Sequence, residues 1–154
     1  MKKIVITKFD VICSIGNNAR EVAAGLSSPR PAVSDTPRTF EFHSIDHPVA
    51  YHTVQNLDPA EVLGKKGLRN KDWPTKLFLC ATELGFKDVL ESIPENDRPG
   101  ICLGTAFGSV ESIGNFLSES ITAGVNNVNP QAFANTVINA PTSQGNVRYT
   151  VRTL

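Results

Sequence analysis

Arg98-Pro-Gly-Ile-Cys-Leu-Gly-Thr-Ala-Phe-Gly108 decides how this chain is read, because a short apolar run there opens directly into a loop bracketed by two glycines. The run predicts a buried strand over residues 100–103. Gly104 and Gly108 allow the backbone to turn where a Cβ would clash. In α/β folds the loops that leave the C-terminal ends of strands are where ligands sit. Gly104, Thr105, Ala106, Phe107 and Gly108 are therefore candidate substrate-binding residues, with Phe107 the one bulky wall; the alternative is an ordinary strand-to-helix turn over a buried Phe.

On either side the pattern is helical. Upstream, Leu77, Cys80, Ala81 and Leu84 recur at helical spacing, Asp72 and Pro74 suit the start, and Pro94 lies past the end, so a helix is predicted over residues 73–91. Downstream, Ser109 precedes a stripe of Val110, Ile113, Leu117 and Ile121 that Gly124 closes. A helix packed on the strand and followed by loop and helix predicts an α/β fold with some parallel pairing.

The remaining segments are shorter. Residues 3–13 alternate loosely and predict a strand that bends near Asp10. Asn18 and Glu21 have capping-box spacing ahead of a helix over residues 19–26. Three prolines between residues 27 and 42 predict a long connection with a short strand at 32–34, and residues 49–55 predict another strand. Asp58-Pro-Ala-Glu61 is a helix start, with Gly64 or Gly67 as the stop. Asn126-Asn-Val-Asn-Pro130 reads as a turn. The small-residue run after Phe133 predicts a helix from Asn135 or Asn139 to Tyr149, with Pro141 near its start.

Composition limits function. The 154 residues suit one domain, and 15 Lys plus Arg balance 15 Asp plus Glu, so no global field recruits nucleic acid or a membrane surface. No apolar run approaches the roughly 18 residues of a membrane span, and a cytoplasmic protein is expected. Cys13, Cys80 and Cys102 show no CxxC spacing and read as buried thiols. His43, His47 and His52 lack a ligand-like spacing, so neither metal nor cofactor is expected. Lys65, Lys66 and Arg69 lie in the most basic stretch, which is either a solvated face or a docking patch for an acidic partner.

Five blocks, taken in order, carry a resemblance: Val5-Ile-Thr7 with Val11-Ile-Cys-Ser-Ile-Gly-Asn17, Leu63-Gly-Lys-Lys-Gly-Leu-Arg-Asn-Lys-Asp72, Thr75-Lys-Leu77, Gly100 to Gly108, and Asn135-Thr-Val-Ile-Asn-Ala-Pro-Thr-Ser-Gln-Gly145. Together they resemble the opening part of a β-ketoacyl-acyl-carrier-protein synthase. The resemblance implies an incomplete N-terminal half of a thiolase-like fold, a mixed sheet flanked by helices, as one partial domain over residues 1–154. It implies decarboxylative condensation of acyl and malonyl thioesters in fatty acid or polyketide synthesis. That chemistry uses a cysteine thiolate on a thioester, with two histidines assisting.

The nucleophilic cysteine and the histidines of the family would fall beyond Val151-Arg-Thr-Leu154, and Cys13, Cys80 and Cys102 match other positions, so no catalytic residue is assigned. By position, Phe107 matches the residue lining the acyl tunnel, and Lys65, Lys66 and Arg69 match the surface that docks the acidic acyl carrier protein. The partners implied are that carrier and either a complementary ketosynthase polypeptide or further copies of this chain. A non-catalytic ketosynthase-like interaction subunit is the second reading, and an unrelated α/β binding module the third.

Overall fold

A computed structural model describes residues 3–27, 52–94, 97, 99–149 and 152–153. Helices dominate it, and the first three begin where a polar side chain takes up free backbone N–H groups. In α1 (Ala19–Leu26) the Asn18 side chain accepts from the Glu21 N–H at 2.9 Å, while Glu21 reaches back to the Asn17 N–H at 2.8 Å. In α2 (Pro59–Leu63) Asp58 caps the Ala60 N–H at 2.7 Å. In α3 (Trp73–Ser92) Asp72 caps the Thr75 N–H at 3.0 Å. Each of the latter two has a proline in its first turn, where the missing N–H costs nothing.

The sheet is small. Strand β1 (Gly100–Ile101) pairs in parallel with β2 (Arg152–Thr153), Gly100 opposite Arg152 and Ile101 opposite Thr153. Between them run α4 (Val110–Thr122), the four-residue α5 (Pro130–Phe133) and α6 (Ala140–Tyr149). A parallel pair joined by helices is the connection expected of an α/β unit. Mixed, mostly helical structure with little sheet is compatible with part of such a fold.

Several expectations change. Residues 3–12 join no ladder, and their one neighbouring pairing is the bridge between Cys13 and Gly16. The segment is held instead by side chains: Lys8 pairs with Asp88 at 2.6 Å, and Asp10 accepts from the Ala19 N–H at 2.6 Å. Asp10 sits so close to Gly85 of α3 that a Cβ there would come within 2.9 Å of it. Ile4 and Ile6 stay exposed, so the alternation has no second surface to fill. Residues 52–55 are likewise not a strand, while residues 32–34 and 49–51, with His43 and His47, lie outside the described residues. The strand expected over residues 100–103 ends at Ile101.

The core forms around α3. Leu63, Leu79 and Cys80 are buried together, with Ile12, Leu57, Val62, Leu68, Phe78 and Tyr149 packed against them. The buried face therefore centres on Leu79 and Thr75, and Leu84, expected inward, is 48% exposed. Helix α6 contacts both α3 and β1. It can do so because Ala140, Pro141, Thr142 and Gly145 present almost no bulk; a Cβ on Gly145 would stand 2.9 Å from the Phe78 ring and 3.0 Å from Ile101. No described helix is long and apolar enough to cross a membrane.

Candidate functional site

The loop after β1 is shaped by its own polar atoms. The Thr105 hydroxyl accepts the Gly108 N–H at 2.9 Å, and Gly108 takes φ of 55°, a left-handed conformation natural to glycine. A Cβ at Gly108 would in addition press on Ile138 at 3.1 Å. Ser109 is buried and donates to the Val137 carbonyl at 3.2 Å, tying the loop to the segment before α6. It makes no side-chain cap for α4. Gly104, Thr105 and Ala106 are exposed, and Phe107 stands 82% exposed, projecting from the loop instead of filling a core.

Helix α4 is amphipathic as expected, yet Val110, Ile113, Leu117 and Ile121 are all exposed. With Phe107 and Ile138 they leave a large apolar area among the described residues facing solvent.

Lys65 and Lys66 sit between two left-handed glycines, Gly64 at φ 79° and Gly67 at φ 80°. Both lysines and Arg69 are exposed, and no hydrogen bond or ion pair among the described residues engages their charged ends. Arg69 also lines a pocket of about 260 Å³ with Asn70, Lys71, Asp72, Asn129, Gln131 and Asn135. Amides stitch its two sides together: Asn70 donates to Gln131 at 2.8 Å, and Asn135 donates to the Asn70 carbonyl at 2.6 Å. Residues 69–72 and 129–135 are far apart in sequence, and nothing in either stretch alone signals this pocket. The expected turn ahead of Pro130 leads into α5, which Asn129 caps by accepting from the Gln131 N–H.

The cysteines differ from one another. Cys80 is fully buried, and burial pushes its thiol up to about 11. Cys13 is partly buried, and Cys102 is exposed, contrary to the buried state expected of it, because β1 ends before reaching it. A second polar cluster, unforeseen in the sequence, joins α3 to α6: Glu83 accepts from Lys87 at 2.8 Å, Tyr149 at 2.9 Å and Arg148 at 3.2 Å. Burial disfavours the Glu83 carboxylate, but these three donors outweigh it and hold the group below the usual carboxylate range. No group of His, Cys, Asp and Glu among the described residues could hold a metal ion.

These features meet a ketosynthase-like similarity in sequence. The chain is 29% identical over 114 residues, 73% of its length, to one curated protein. That relative is 3-oxoacyl-[acyl-carrier-protein] synthase 1 of Haemophilus influenzae, and the chain spans about a quarter of its length, 27%. No family model and no solved structure matches the chain.

Proposed function

We propose that this chain is a non-self-sufficient part of a β-ketoacyl-acyl-carrier-protein synthase. In this reading it supplies scaffold, an acyl-tunnel wall and a carrier-docking surface for condensation of acyl and malonyl thioesters. The observation that carries the reading is the similarity to the Haemophilus influenzae synthase.

The geometry supports the division of labour. Phe107, with Gly104, Thr105, Ala106 and Gly108, forms the tunnel wall, its ring free to meet an acyl chain or a facing polypeptide. Lys65, Lys66 and Arg69 form the docking surface, three cations without partners among the described residues on a chain of zero net charge. Cys80 is unsuited to nucleophilic work, since its thiol is buried and held protonated. In this reading the reacting cysteine and histidines are not among residues 1–154. The site uses no cofactor and no metal, and the protein works in the cytoplasm.

Titration of the chain with an acyl carrier protein, followed by NMR, tests the docking surface. Saturable shifts are expected at residues 64–70, reduced severalfold in Lys66→Glu and Arg69→Glu, since each reverses a contact charge. Unchanged affinity in both variants would sink this surface.

A second reading, a non-catalytic ketosynthase-like interaction subunit, is favoured by the uncovered stripe of α4. Leu117→Lys and Ile121→Lys change exposed positions, so the fold should be kept within about 0.5 kcal/mol. Under either reading these changes should abolish association with further copies or with a complementary chain. Transfer of an acyl group to a cysteine after co-expression with a complementary ketosynthase chain selects the first reading; assembly without transfer selects the second.

A further inference from the structure

We propose that the pocket between residues 69–72 and 129–135 is a binding site for a phosphate group carried on a small organic ester. Arg69 and Lys71 both line it, and neither is neutralised by a carboxylate among the described residues. Among the described residues the Lys71 ammonium is bonded only to the neutral side-chain oxygen of Gln144. The one acid in the pocket is already engaged: Asp72 accepts from the Thr75 N–H at 3.0 Å and from the Ser112 hydroxyl at 3.1 Å.

Two amide groups add unspent donors. Gln131 accepts through its carbonyl oxygen from Asn70, and Asn129 accepts through its own from the Gln131 backbone, which leaves both NH2 groups without a partner among the described residues. Donors thus come from four side chains on two segments. A planar carboxylate is satisfied by one guanidinium edge, whereas a tetrahedral oxyanion uses donors arriving from several sides. A volume of about 260 Å³ is several times the roughly 30 Å³ share of one water, so phosphate enters with part of its ester group. Burial, and secondarily Arg148, already hold Lys71 below the usual lysine range, a cost that a bound anion would relieve.

The site shares Arg69 with the docking surface proposed above and needs nothing else from that reading. The test is NMR titration of the full chain with inorganic phosphate and with methyl phosphate, at ionic strength matched with chloride and with acetate as the carboxylate arm. Saturable shifts confined to residues 69–72 and 129–135 are expected, tighter for methyl phosphate than for acetate. Arg69→Gln and Lys71→Gln should each weaken binding about tenfold, the loss for one charge-assisted hydrogen bond. Lys65→Gln, outside the pocket, should leave it unchanged while weakening carrier docking. Arg69 is exposed, so its variant stays informative even where Lys71→Gln unfolds the chain. No saturation, equal binding of acetate, wild-type affinity in Arg69→Gln, or an equal loss in Lys65→Gln would each overturn the assignment.

Discussion

The Tyr149 hydroxyl donates to the Glu83 carboxylate at 2.9 Å, joining the last turn of α6 to the middle of α3. The Leu79 carbonyl is a second acceptor for the same hydroxyl at 3.2 Å, and the Arg148 guanidinium lies 5.7 Å from the tyrosine ring centre. Tyr149→Phe keeps the ring packed on the core and removes only this tie. A loss of about 1.5–3 kcal/mol, typical of a hydrogen bond to a charged group, is expected in urea unfolding. Unaltered stability would mean the tyrosine hydroxyl adds nothing to the α3–α6 contact beyond packing and the Arg148–Glu83 pair.

The same cluster sets a pH dependence. Glu83 titrates lower in the folded chain than in the unfolded one, so the unfolded state takes up protons first on acidification. Its contribution is therefore complete above the ordinary glutamate value and fades as pH falls through the depressed folded value. Tyr149 is displaced upward, by burial first and then by Glu83, so its contribution is present below the ordinary tyrosine value and fades as pH rises beyond it. Melting temperature should plateau near neutrality, and Glu83→Gln should flatten the acid limb. An acid limb that keeps its slope in that variant would place the titrating group elsewhere.

Thr75 is a different case. It is wholly buried, and its hydroxyl oxygen has no hydrogen-bond partner among the described residues. Thr75→Val replaces that hydroxyl by a methyl group of similar size. Stabilisation by about 1 kcal/mol or more is expected from thermal or urea unfolding, because an unpaired polar atom leaves the core. A destabilised variant would show that the hydroxyl does find a partner in solution.

At Gly145 the constraint is steric. A methyl group would approach the Phe78 ring to 2.9 Å, with β1 close behind, so neither neighbour can simply swing away. Alanine favours a helix over glycine by about 1 kcal/mol, but overpacking costs about 1–3 kcal/mol. Gly145→Ala should therefore lower stability, and the paired change Gly145→Ala with Phe78→Leu should recover part of it. A more stable single variant would refute the close approach.

Local signals made the helices readable. Asn18, Asp58 and Asp72 each satisfy backbone N–H groups within three residues of themselves, and such short-range chemistry is visible in sequence. Gly108, Gly124 and the pair Gly64 and Gly67, offered as alternative stops, were legible as breaks, and all four take positive φ; Gly104, expected to turn where a Cβ would clash, has no positive φ and nothing within 4 Å of an added Cβ. Sheet was not legible, because pairing depends on a distant partner: β1 finds β2 some fifty residues later, whereas residues 3–12 find none among the described residues. Helical periodicity located the stripes of α3 and α4 but could not say what covers them. It misassigned Leu84 and left the α4 stripe facing water. Lys65, Lys66 and Arg69 were visible as charge, while the neighbouring pocket required two polar segments to meet.

Glycines flank Lys65 and Lys66 on both sides with φ near +80°, a handedness that side-chain-bearing residues resist. The two ammonium groups thus ride on a bend whose shape is written into the main chain, independent of any packing beneath it. Alanine at 64 or 67 would re-aim both charges without touching either lysine. The aim of this basic surface is consequently vulnerable at positions that carry no charge at all.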